Sequence, residues 1–155
     1  MHSVFVSHTS RAIKRAVRFK ELMQEGSSAL DIFLSSDWDS IRSGAIWIEE
    51  IERALSTCRH FVALITSAED ARSPWVNYEV GYARGKDILP RIFLFDGITP
   101  EEVPYPLRML HLILPGDTNR RRGELDSMGV SDSKNAFAAL LYARTEVDAD
   151  ATRKA

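Results

Sequence analysis

The segment Phe61-Val62-Ala63-Leu64-Ile65 constrains the fold more than any other stretch of the chain. It is apolar at every position, is too short for a helix, and runs from Arg59-His60 into Thr66-Ser67. A strand with no polar face must be covered on both sides, as the centre of a parallel sheet between two helical layers is. The segment is therefore expected to be the middle strand of an open parallel α/β sheet.

The rest of the chain supplies matching units. Val4-Phe5-Val6 reads as a first strand and ends at Ser7-His8-Thr9-Ser10, a run of helix-capping side chains. A first helix is predicted over 11–25, with Ile13, Ala16, Val17, Lys20 and Met23 at helical spacing, Phe19 and Leu22 widening the stripe, and Gly26 as the stop. Leu30 to Leu34 is a second strand. Trp47, Ile48, Ile51, Ala54, Leu55 and Cys58 then repeat at three and four residues, with Glu49, Glu50 and Glu52 facing outward in a second helix. Ser73-Pro74 is a strong helix start, cap followed by proline at the first helical position, and the helix should reach Arg84 or Gly85. A fourth strand is predicted over 92–95, its pairing beginning only after Pro90. A weaker fifth covers 109–114, a last helix 133–144, and the tail 146–155 lacks a periodic face and is expected to fray. Strand and helix alternate throughout, which predicts helices on both faces of the sheet and a ligand site outside the strands' carboxyl ends.

Composition narrows the function classes. The chain has 155 residues and a formal charge of -2, so one domain is expected and no global field gathers nucleic acid or an anionic membrane. The short run Arg120-Arg121-Arg122 reads as a solvated loop. Cys58 is the one cysteine, which excludes an internal disulfide and suits a reducing compartment, so a cytoplasmic location is expected. No apolar stretch approaches membrane-spanning length, and nothing near Met1 resembles a secretory leader. His2, His8, His60 and His111 lack metal-ligand spacing, so no metal is expected. Glycine patterns for a dinucleotide fold or a phosphate loop are absent from the sequence. Gly81 and Gly85 have the spacing of a small-residue contact and are expected to permit close packing against a strand.

The most informative segment is Ser73-Pro74-Trp75-Val76-Asn77-Tyr78-Glu79. Trp75 and Glu79 share a helix face, which Ala83 continues, and a carboxylate beside an indole is partly desolvated. Such a carboxylate could stabilise the oxocarbenium-like sugar formed when an N-glycosidic bond breaks. Spacing alone nevertheless favours Trp75 as a core anchor and Glu79 as an ordinary solvated helix residue.

Four motifs in order change that balance. Phe5-Val6-Ser7-His8, Ser36-Asp37, Gly44 with Trp47, and Ser73-Pro74-Trp75 through Glu79 resemble the TIR domains of bacterial defence proteins, over roughly residues 3–115. The resemblance implies a three-layer α/β/α fold with a five-stranded parallel sheet in the flavodoxin-like order 2-1-3-4-5, spanning 1–145. It implies that Glu79 is the catalytic residue of an enzyme that breaks the nicotinamide-ribose bond of NAD+, yielding ADP-ribose or a cyclic isomer. NAD+ would be a substrate and no cofactor would be needed. Phe5, Ser7, Asp37 and Trp75 match positions that line the nucleotide cleft. The loop Asp37 to Ile46, with Trp38, Arg42 and Gly44, matches the family's BB loop, through which TIR domains assemble with one another. Trp38 departs from the polar or small residue common there. The resemblance also implies antiviral signalling, with a nucleotide-sensing effector as a further partner. A non-catalytic TIR adaptor is the alternative, and a phospho-acceptor receiver domain is disfavoured because Ser7-His8 and Ile65-Thr66-Ser67 stand where its acidic residues belong.

Overall fold

The computed structural model describes residues 2–26, 30–35, 44–95, 97–114 and 118–130. Its strands are β1 (His2–Ser7), β2 (Leu30–Leu34), β3 (His60–Ile65), β4 (Pro90–Leu94) and β5 (His111–Ile113). The helices are α1 (Ile13–Gly26), α2 (Gly44–Thr57), α3 (Ala68–Ala71), α4 (Pro74–Gly85) and α5 (Thr118–Ser127). All five strands are parallel in the order β2-β1-β3-β4-β5, the expected architecture. The wholly apolar segment Phe61 to Ile65 lies in β3, at the sheet's centre, and is wholly buried.

Strand register decides which helices cover which face. Val6 pairs with Val62, and Val62 with Arg91, so these share one face. Arg91 binds Glu124 of α5, and Phe93, two residues on, meets Phe19 of α1 with ring centroids 6.2 Å apart. The helices α1 and α5 therefore lie on this side. Ser7 faces the other side, where it meets α4, and α2 joins α4 through a hydrogen bond from the Tyr78 hydroxyl to Glu52, 3.1 Å. On that face Phe5 stacks between Phe33 and Phe61, with centroid distances of 5.4 and 5.6 Å. These three rings form an aromatic column across β2, β1 and β3.

Several expectations need correction. Pairing of β4 begins at Pro90 itself, opposite Phe61, because the first residue of a strand tolerates a missing N–H. Helix α1 buries Ala16, Phe19, Leu22 and Met23 while Val17 is 39% exposed, so its face is rotated toward the alanine. The Arg120-Arg121-Arg122 run is no loop: it lies in α5, and Arg121 is wholly buried. Its Nε donates to the Leu114 carbonyl, 3.1 Å, and its Nη2 to the Leu94 carbonyl, 3.2 Å. Guanidinium thus closes the carboxyl ends of β4 and β5. The predicted helix over 133–144, the tail, and the side chain of Trp47 lie outside the described residues.

At the opposite, amino ends of the strands, Glu124 accepts from Arg91 Nε at 2.5 Å and pairs with His111 Nε2 at 2.6 Å. Burial pushes the Glu124 carboxyl up, but the hydrogen bonds from His111 and Arg91 outweigh it and hold it below its ordinary value.

Gly81 and Gly85 also differ from expectation. A Cβ at either position meets nothing within 4 Å, so close packing does not require glycine there. Gly81 is exposed in the middle of α4, where glycine costs backbone entropy without a steric return. Gly81→Ala is expected to stabilise the protein by about 0.5–1 kcal/mol, read as a raised denaturation midpoint at unchanged slope.

Candidate active site

Helix α4 begins with its cap: the Ser73 hydroxyl accepts from the Val76 N–H and Pro74 occupies the first turn. This start, three residues beyond Asp70, aims the first two turns of α4 across the carboxyl ends of β1 and β3. Trp75 is half-buried and stacks on Tyr78, centroids 5.4 Å apart. One turn on, Glu79 is wholly buried, contrary to the solvated residue that spacing alone favours. The sheet supplies the reason, since Glu79 turns inward onto the last residue of β1.

There the Ser7 hydroxyl donates to Glu79 Oε1 at 2.6 Å, across 72 positions of sequence. Burial raises the Glu79 carboxyl to about 8, while the Ser7 and Ser35 hydroxyls and the Trp75 indole N–H favour the charged form and oppose that rise. Desolvation dominates because the site's donors are neutral dipoles and the aromatic column lies just beneath Ser7. A carboxyl held in this way sits near its midpoint at neutral pH, where a change in nearby charge decides its ionisation.

The exits of β1 and β3 complete the surroundings. The His8 N–H donates to Ser35 Oγ at 3.2 Å, and His8 Nδ1, 2.8 Å from the Thr9 carbonyl, must carry the proton and donate to it. A cleft of about 660 Å³ opens beside these segments, lined by His8, Thr9, Arg11, Asp70, Ser73 and Trp75 among others. Arg11 and Glu69 form an exposed ion pair at its edge.

Of the residues expected to contact substrate, Trp75 lines this cleft, while Ser7 and Glu79 form the buried pair next to it. Phe5 does not line it. With no exposed surface, Phe5 belongs to the core column, because its register with Phe33 and Phe61 stacks the three rings. Asp37, Trp38 and Arg42 lie outside the described residues, and Gly44 is the first residue of α2. Sequence reasoning missed Asp70, a wholly buried carboxylate whose signal was the Ser67-x-x-Asp70 capping pattern.

Among the described residues, no cluster of three or more His, Cys, Asp or Glu is placed to hold a metal ion. Burial pushes the Cys58 thiol up to about 11, which leaves it inert as a nucleophile near neutral pH. No described helix is long and apolar enough to cross a membrane.

A doubly wound parallel sheet with its polar site beyond the strands' carboxyl ends defines an open α/β domain with a cleft at its topological switch point. The model of the TIR domain family matches residues 4–123, and the chain belongs to that family. Among solved structures it is similar to the TIR domains of the activated Roq1 resistosome directly recognizing the pathogen effector XopQ. That likeness has 16% identity and a TM-score of 0.47, and covers 92% of this chain and 83% of that one. No curated protein matches the sequence.

Proposed function

We infer that this TIR domain cleaves the nicotinamide-ribose bond of NAD+, as a glycohydrolase or an ADP-ribosyl cyclase, with Glu79 as the essential carboxylate. The observation that carries the reading is the Ser7–Glu79 pair: a buried carboxyl, poised near neutral pH, at the carboxyl ends of a switch-point sheet. Cleavage sends the bonding electron pair to nicotinamide, which leaves neutral, and leaves positive charge on C1′ and the ring oxygen of the ribose. Ionised Glu79 stabilises that cation, and its low-dielectric setting strengthens the attraction. Water then attacks C1′ and gives up a proton to yield ADP-ribose, or another part of the same nucleotide attacks and closes a ring. Trp75, at the cleft wall, supplies a ring face for stacking, and Asp37 completes the substrate contacts.

The biological setting of this reading is bacterial antiviral defence in the cytoplasm, by NAD+ destruction or by a nucleotide signal to an effector protein. Self-association through the segment bearing Trp38, Arg42 and the α2 start at Gly44 completes the site, and the domain extends over 1–145. One observation favours a second reading, a TIR adaptor without catalysis: Glu79 has no exposed surface. Nicotinamide measured by chromatography separates the two. The enzyme reading expects release that rises more steeply than protein concentration, and the adaptor reading expects none at any concentration.

The acidity of Glu79 adds a pH signature. The reaction needs the ionised form, so log kcat/KM is expected to climb with pH and level off above about 8, the value of the free site. A flat profile between pH 6 and 9 would contradict the assignment, those bounds being set roughly one to two units either side of the midpoint.

A further inference from the structure

The geometry points to Asp70 as the positioning residue of the Glu79 site, holding the exits of β1 and β3 and the start of α4 in the arrangement that brings Ser7 to Glu79. The inference rests on the reading of Glu79 as the reacting carboxylate.

Three segments of chain converge on Asp70. Its Oδ1 accepts the Thr9 hydroxyl at 2.7 Å, two residues beyond Ser7. Its Oδ2 accepts both the Thr66 N–H at 2.8 Å and the Thr66 hydroxyl at 2.5 Å, at the exit of β3. Its backbone carbonyl accepts the N–H of Ser73, the cap of α4, at 3.1 Å. Asp70 is itself fixed by Ser67, whose hydroxyl accepts the Asp70 N–H at 3.2 Å. Three neutral donors aimed at one buried carboxylate specify an acceptor-only group, because an amide in its place would set its NH2 against one of them. A shift at Thr9 is passed along two residues of chain to Ser7, whose hydroxyl lies 2.6 Å from Glu79.

Among the described residues, the groups facing Glu79 are the Ser7 hydroxyl from β1, the Ser35 hydroxyl beyond β2, and Trp75 on its own helix, with the Tyr78 phenol beside it. None of these is a charged side chain at neutral pH. At constant burial, the midpoint of the Glu79 carboxyl falls as its hydrogen bonds, that from Ser7 first among them, are better held, and a loss of stability that leaves the folded site intact does not move it.

The test follows the Glu79 side-chain carboxyl by 13C NMR across pH in the wild type, Asp70→Asn, Thr9→Val and Thr9→Ser, with nicotinamide release measured in parallel. Thr9→Val removes one hydrogen bond at nearly constant shape, so it serves even if Asp70→Asn does not fold. Loosening one hydrogen bond to a charged group is expected to raise the Glu79 midpoint in Asp70→Asn and Thr9→Val and to lower kcat about tenfold. Thr9→Ser, which keeps the hydroxyl, is expected to restore both. Identical midpoints in the wild type and Thr9→Val would overturn the positioning role. The two readings fail separately: shifted midpoints in a protein that releases no nicotinamide defeat the reaction alone, and active variants with unshifted midpoints defeat the role of Asp70 alone.

Discussion

Glu79→Gln is expected to abolish nicotinamide release, a fall of about a thousandfold or more, while making the folded protein more stable at neutral and alkaline pH. The two effects share one cause. In the folded protein the Glu79 carboxyl is raised from 4.5 to about 8 by burial. Below the unfolded value both states hold the proton and the residue has no pH-dependent cost. Between the two values the unfolded chain releases the proton and the folded chain keeps it, so stability falls as pH rises. Above the folded value the cost is constant. The full penalty is on the order of 3–5 kcal/mol, and glutamine, which does not ionise, escapes it. Chemical denaturation of both proteins at about pH 5 and pH 9, just above the unfolded and the folded values, checks the sign. The difference in stability should be much larger at the higher pH. Equal stabilities there would mean that the site accommodates the ion without cost, against the desolvation argument.

Arg121→Ala is expected to be strongly destabilising although it lies outside the site. The guanidinium is wholly buried and donates to the carbonyls of Leu94 and Leu114. Removing it leaves two strand-end acceptors without those donors and opens a cavity under α5. A loss of about 3 kcal/mol follows from the unsatisfied groups and the lost packing. Arg121→Met should recover part of the packing and none of the hydrogen bonding, so its denaturation midpoint is expected to fall between those of the wild type and the alanine variant.

The parts of the fold legible in the sequence were those written in apolar periodicity and in helix starts. Leu30–Leu34 forms a strand with the expected bounds, and α4 begins at Pro74 with Ser73 as its cap. Both are local: the first depends on five neighbouring side chains and the second on a proline that satisfies a helix start by itself. Arg121 was misread because a run of arginines is solvated wherever water is its best partner. The carbonyls that compete with water here, at the end of β4 and just past β5, lie 27 and 7 positions away. Val17 was misplaced for a related reason, since a periodic stripe fixes the presence of a buried face more firmly than its angle. At the site, the Trp75–Glu79 spacing and the resemblance of the surrounding motifs made the carboxylate legible. Its burial was not, because that depends on Ser7, whose approach requires the whole sheet to form. Asp70 carried a capping pattern, but its hydrogen bond to Thr9, 61 positions away, joins segments that the sequence does not bring together.

The stacked rings of Phe33, Phe5 and Phe61 have a consequence for how such a site could be retuned. They lie on the Ser7 face of the sheet and add apolar surface on the strand side of Glu79, while the helix that bears the carboxyl aims it and contributes Trp75. Natural variation or laboratory selection that adjusts the working pH should accumulate at the positions of these rings. Helix α4, whose spacing places the carboxyl, should stay unchanged. Acid strength and reach would then be inherited in part on different elements, and could to that extent be altered one at a time.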